Sequence, residues 1–103
     1  VEGASPEAPA PQEAATITAT YQQLAGALLE AVKAHWTDAQ LADEIPMYGE
    51  SWKKGFVLGA LIAHQTHHRG QMTVLMRQAG LKVPGIYGPA REEWAALGMP
   101  EQP

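Results

Sequence analysis

The chain has 103 residues, 46% of them hydrophobic and 17% charged, which is the composition of one globular domain or part of one and not of a disordered segment. A formal net charge of −4, with no basic run longer than Lys53-Lys54, argues against a surface that binds nucleic acid through phosphates. There is no cysteine, so disulfides and thiolate metal sites are excluded.

Residues 1–12 carry three prolines among small residues and read as a linker or surface loop. A first helix is expected from about Gln12 to Trp36. Ile17, Tyr21, Leu24, Leu28 and Val32 recur at helical spacing and form one apolar stripe, and Pro11 suits the opening turn. Thr37-Asp38 offers an N-cap for a short turn over Ala39–Glu44, which Pro46 stops. Met47–Glu50 reads as a loop and Ser51 as the cap of a second helix reaching about Ala79. Gly80 then supplies a left-handed C-terminal cap, with Pro84 just beyond. Gly55-x-x-x-Gly59 in that helix predicts close packing against a neighbouring helix. Residues 81–89 are turn-rich, and a short helix over Ala90–Leu97 follows, anchored by Trp94.

No run shows strand alternation, so the expected class is all-α. Two long amphipathic helices bury their stripes poorly alone, so a third and fourth are expected from a second subunit or from the other half of a longer protein. The first residue is Val1, not Met, so a start further upstream is expected. The apolar run Phe56–Ala63 is far shorter than the ~20 residues of a membrane span, no signal peptide is evident, and the lack of cysteine fits the cytoplasm.

The stretch His64-Gln65-Thr66-His67-His68-Arg69-Gly70-Gln71 holds three of the four histidines. His64 and His68 stand four apart, which puts both imidazoles on one helix face, a turn apart, where they can share a cation. At about 100° per residue, with His64 at zero, Val57 and Leu75 fall near 20°, His68 near 40° and Leu61 near 60°. Gln65 and Arg69 point away near 100° and 140°, and His67 lies on the other shoulder near 300° with Val74 and Phe56. Imidazoles in an apolar stripe need partners. Two solutions stand open: a shared metal, or hydrogen bonds to carboxylates or carbonyls. His35, at the end of the first helix, lies too far along an antiparallel pair to be a third ligand. Gln71, three residues after His68, is a boundary polar residue, a hydrogen-bond partner behind a ligand, or a weak ligand itself. Tyr48, Trp52 and Tyr87 read as core or loop anchors, Arg69 as a solvated or interface residue, and Asp43-Glu44 and Glu92-Glu93 as solvated faces.

The run His64-x-x-His67-His68-Arg69-Gly70-Gln71, then Leu75-x-Arg77-x-x-Gly80 and Pro84-x-x-Tyr87-Gly88-Pro89, resembles the C-terminal half of DinB-like proteins of the DinB/YfiT-like metalloenzyme superfamily. Trp36-Thr37-Asp38-Ala39-Gln40-Leu41 is similar to the loop after that family's third helix, and the likeness covers about residues 15–98. It implies a four-helix bundle to which this chain gives two long helices and a short C-terminal one: residues 13–98, with 1–12 a linker and 99–103 a tail. It implies a divalent metal, zinc or nickel, held by His64, His68 and a third histidine from an N-terminal helix without counterpart here. The implied activity is that of a metal-dependent enzyme, a thiol-dependent S-transferase or related small-molecule enzyme using a low-molecular-weight thiol. No catalytic residue is assigned. Implied partners are a small-molecule substrate and either a homo-oligomer or a missing N-terminal half, with no nucleic acid and no membrane. The competing reading is a non-catalytic helical module, a dimerising stress-response or ligand-binding protein.

Overall fold

The structure, a computed structural model, describes residues 7–101. Two long helices, a β-hairpin and three single 3-10 turns make up its regular structure. The chain divides at Phe56–Val57 into two compact units.

In the first unit, residues 7–13 are irregular and exposed, in keeping with the expected loop, of which positions 1–6 lie outside the described residues. Helix α1 spans Ala14–His35, starting two residues later than predicted. Leu24, Leu28 and Val32 of its stripe are half-buried, whereas Ile17 and Tyr21 are exposed. The chain then turns through a 3-10 turn at Asp38–Ala42, where Gln40 Oε1 accepts a hydrogen bond from the Thr37 N–H at 2.9 Å. This is the reciprocal half of a capping box, and Thr37 begins a turn as its side chain suggests.

The all-α expectation needs correction here. Strands β1, Glu44–Met47, and β2, Glu50–Lys53, pair antiparallel, with Ile45 opposite Trp52 and Met47 opposite Glu50. Ser51 therefore lies in a strand and not at a helix cap. Tyr48 and Gly49 form the two-residue turn with φ of +50° and +79°. Two positive φ values are what a type I′ hairpin turn demands, because its backbone twist matches that of the strands. Tyr is a poor residue for that position, so the usual Asn-Gly or Asp-Gly signal is missing. Pro46 is tolerated because a two-stranded ribbon has only edge strands. Ile45, Met47 and Trp52 are half-buried, and Ser51 Oγ donates to Glu44 Oε2 at 2.9 Å.

Helix α2 spans Lys54–Gln78, about 37 Å of helix. Its first turn is fastened within the first unit: Lys54 N–H donates to Asp43 O at 2.9 Å, and the Lys54 ammonium sits 5.1 Å from the Trp36 ring. A Cβ on Gly55 would stand 3.3 Å from Leu41 O, so this glycine lets the helix approach the 3-10 turn closely; nothing lies so near Gly59. Close packing thus occurs at one glycine of the pair, and against a 3-10 turn instead of the expected helix. Trp52 makes an edge contact with Phe56 at 5.0 Å and a tilted one with Tyr48 at 5.7 Å.

In the second unit α2 ends as the sequence predicts. Gly80 has φ +74°, its N–H donates to Arg77 O, and Leu81 N–H donates to Met76 O. These two bonds form a Schellman motif, which satisfies carbonyls that the helix end leaves free. Beyond it Val83 is buried, and the expected short helix is instead two 3-10 turns, Arg91–Glu93 and Ala95–Leu97, flanking a half-buried Trp94. Glu92 and Glu93 are exposed, as expected of a solvated face, but both carboxylates are paired. Arg77 holds Glu92 in a two-pronged pair, with Nη2 2.9 Å from Oε2 and Nη1 on Oε1. The Glu93 carboxylate accepts from the N–H groups of Gly85 at 3.1 Å and Ala90 at 2.9 Å, closing the 85–90 loop. Tyr48 and Tyr87, 87% and 95% exposed, are not anchors. Among the described residues no helix is long and apolar enough to cross a membrane.

Candidate metal centre

The middle of α2 carries the site. The i, i+4 spacing stacks His64 and His68 on one face, and their rings meet edge to face with centroids 4.5 Å apart. The two Nε2 atoms face each other at 3.0 Å. Two nitrogens bound to one zinc at about 2.0–2.1 Å, at angles between square and tetrahedral, lie about 2.9–3.4 Å apart, so the observed separation fits ligands of one ion.

On the far side of His68, Nδ1 lies 2.8 Å from Gln71 Oε1. With the amide oxygen as acceptor, Nδ1 carries the proton and the Nε2 lone pair points toward His64. A hydrogen-bond acceptor behind an imidazole commonly fixes the tautomer of a metal-binding histidine in this way. Gln71 is thus placed as a hydrogen-bond partner behind His68. Thr66 and Thr73 bond back to the helix, to Ile62 O at 2.8 Å and Gly70 O at 2.7 Å, so neither hydroxyl is directed at the pair by these bonds. His67 lies off the shared face, its ring 5.3 Å from that of His68.

Two expectations about the surroundings need correction. Both imidazoles are exposed rather than embedded among Leu and Val. The half-buried face of α2 centres on Val57, Leu58, Leu61 and Gln65, so Gln65, expected to point away, is partly covered, and the histidines stand at the edge of that face. Met72 and Leu75, on the same side as the histidines, are 58% and 64% exposed. Among the described residues no group of three or more His, Cys, Asp or Glu could hold an ion, so no third such side chain joins the pair there.

The DinB family model matches residues 1–102, and the chain belongs to the DinB family. It is 54% identical over 91 residues to the uncharacterized protein YrdA of Bacillus subtilis strain 168, an alignment covering 88% of this chain and 54% of that protein. It is also similar to the crystal structure of a DinB-like protein from Bacillus cereus ATCC 10987, with a TM-score of 0.79 and 46% identity, over 84% of this chain and 57% of that one. The chain therefore spans a little over half the length of these relatives. The likeness read from the His64–Pro89 motifs is that of the family itself.

Proposed function

We propose that this chain carries two protein ligands, His64 and His68, of a divalent-metal-dependent enzyme acting on a small molecule in the cytoplasm, with zinc or nickel as the metal and thiol-dependent S-transfer as the reaction. The single observation that carries the reading is the 3.0 Å approach of the two Nε2 atoms, with Gln71 2.8 Å behind one of them. Neutral imidazole nitrogens suit zinc and nickel alike. When bound, such a cation supplies the Lewis acidity that makes a thiol or water nucleophilic near neutral pH.

The residues of this chain do the rest. His64 and His68 present lone pairs from a rigid helix, which holds their separation better than a loop. Gln71 keeps the His68 proton on Nδ1, away from the binding side. Leu61, Met72 and Leu75 offer an apolar wall beside the pair, suited to the hydrocarbon part of a low-molecular-weight thiol or its acceptor.

The test is thiol conjugation to an electrophile panel by the zinc- and nickel-loaded protein. The reading expects turnover that His68→Ala removes without loss of helical circular dichroism. Equal turnover in His68→Ala rejects it. A second reading, a non-catalytic helical module, draws on the lack of a third donor among the described residues. It expects no turnover with any thiol, and effects of His64→Ala and His68→Ala on stability alone.

A further inference from the structure

We propose that the tip of the β-hairpin binds a small quaternary ammonium compound, with the Tyr48 and Trp52 rings as its aromatic contacts and the Glu50 carboxylate as its counter-charge. The site lies wholly within the first unit and is independent of the histidine pair. Three observations meet there.

The first is Tyr48 itself. It occupies a turn position with φ +50°, where Asn, Asp or Gly costs least and a bulky residue is strained. Its side chain is 87% exposed, so packing does not ask for a ring there either. In a stretch otherwise given to internal contacts, this aromatic group is the one that neither the turn nor the core explains. A strained residue with an exposed ring points to use of that ring.

The second is the company it keeps. The Tyr48 and Trp52 centroids lie 5.7 Å apart with their planes inclined at 54°, and Phe56 steadies the indole by an edge contact at 5.0 Å. A cation is drawn to an aromatic face within about 6 Å of its centroid. Two centroids this close let one ammonium group come within reach of both. The first unit already holds one cation in this way, since the Lys54 ammonium sits 5.1 Å from the Trp36 ring.

The third is charge. Trp52 Nε1 donates to Glu50 Oε2 at 2.9 Å, which fixes a carboxylate at the edge of the indole. Among the described residues no hydrogen bond or ion pair engages its other oxygen, Oε1. The neighbouring cations are committed elsewhere. Lys54 lies by Asp43 and Trp36, and Lys53 stands opposite Glu44, on the other side of the ribbon from Trp52. An apolar partner laid over the rings would bury the Glu50 charge without compensation. An acidic surface would meet that carboxylate on a chain of net charge −4. A cation meets neither objection. A trimethylammonium group sheds water more easily than a primary ammonium, and its methyl groups suit the rings.

The experiment is a nuclear magnetic resonance titration of the chain with choline at constant ionic strength, following the indole N–H signals of its three tryptophans. The Trp52 signal alone is expected to shift, saturating in the millimolar range, with or without chelator and equally in His68→Ala. The neutral carbon isostere of choline, with tert-butyl in place of trimethylammonium, should bind at least tenfold more weakly. Tyr48→Asn gives the turn the Asn-Gly pair that its backbone favours, so the hairpin keeps its fold while choline affinity falls about tenfold. Glu50→Gln keeps an acceptor for the indole but removes the charge. It should weaken choline by a similar factor and leave the isostere unchanged. Isostere binding equal to that of choline in the unaltered chain would make the tip an apolar patch and overturn the proposal. Unchanged choline affinity in Tyr48→Asn, a shift centred on Trp36 or Trp94, or no saturable shift at all would overturn it as well.

Discussion

Residues 36–56 and residues 62–76 turn their side chains to opposite uses. In the first stretch nearly every notable group answers to another within it. Trp52 touches Tyr48 and Phe56 and donates to Glu50, Gln40 answers Thr37, and Lys54 meets both Asp43 and the Trp36 ring. In the second, His64, His68, Met72, Val74 and Leu75 are exposed, and the histidine side chains are engaged with one another and with Gln71. A region built on internal contacts registers substitution as lost stability. A region whose side chains stay exposed registers it as lost binding. The fold and the candidate site thus separate along one helix, and substitutions in the two stretches should separate in their readouts.

The strongest way to break this division is at the histidines. His64→Ala or His68→Ala should lower zinc affinity by about 100-fold or more, measured by competition with a chromophoric chelator. The same substitutions should move unfolding free energy by no more than about 0.5 kcal/mol, because both side chains are exposed. The mirror experiment is Trp52→Ala. It removes two ring contacts and the Nε1 bond to Glu50, and should cost about 1–3 kcal/mol in urea unfolding with zinc affinity unchanged. Gln71→Ala sharpens the picture within the site. Zinc affinity should fall about tenfold, and Gln71→Glu, which keeps an acceptor behind His68, should restore it. At the helix end, Gly80→Ala forces an L-residue into φ +74° and should cost about 1 kcal/mol of unfolding free energy measured in urea.

The smallest effect concerns acid. The Arg77 hydrogen bond holds the Glu92 carboxyl down at about 2, against an ordinary 4.5. Glu93 is lowered as well, by the backbone N–H groups of Ala90 and then Gly85. Both groups are more acidic folded than unfolded. Each contribution is therefore complete above the unfolded value and is lost as pH falls below it, for Glu92 from about 4.5 toward 2. Glu92→Gln should flatten that acid limb of stability and leave the profile near neutrality unchanged. An unaltered slope between those limits would show that the pair does not hold the C-terminal segment to α2.

Much of this was legible in the sequence, for identifiable reasons. Helix α1, helix α2 and the Gly80 cap follow from 3.6-residue periodicity and from a glycine placed where φ must be positive. The histidine pair follows from its spacing within a segment of helical periodicity, since i and i+4 share one helix face. The hairpin was hidden because its turn is Tyr48-Gly49, its strands are four residues long, and Pro46 reads as a breaker. The roles of Glu92 and Glu93 were hidden because their partners, Arg77 and the Gly85 and Ala90 amides, are brought to them by the 81–90 loop, which shows no periodicity. The helical wheel placed the histidines correctly relative to one another. It misplaced the covered face by about one residue's rotation toward Gln65, because a wheel gives angles and not what lies beyond them.

The most direct test of the central claim is a two-dimensional long-range nitrogen–proton spectrum of the imidazoles during zinc addition. The account predicts that the Nε2 resonances of His64 and His68 alone move to positions of coordinated nitrogen, while His68 Nδ1 keeps its proton on Gln71. Zinc bound through Nδ1, or equal shifts at His35 and His67, would contradict it.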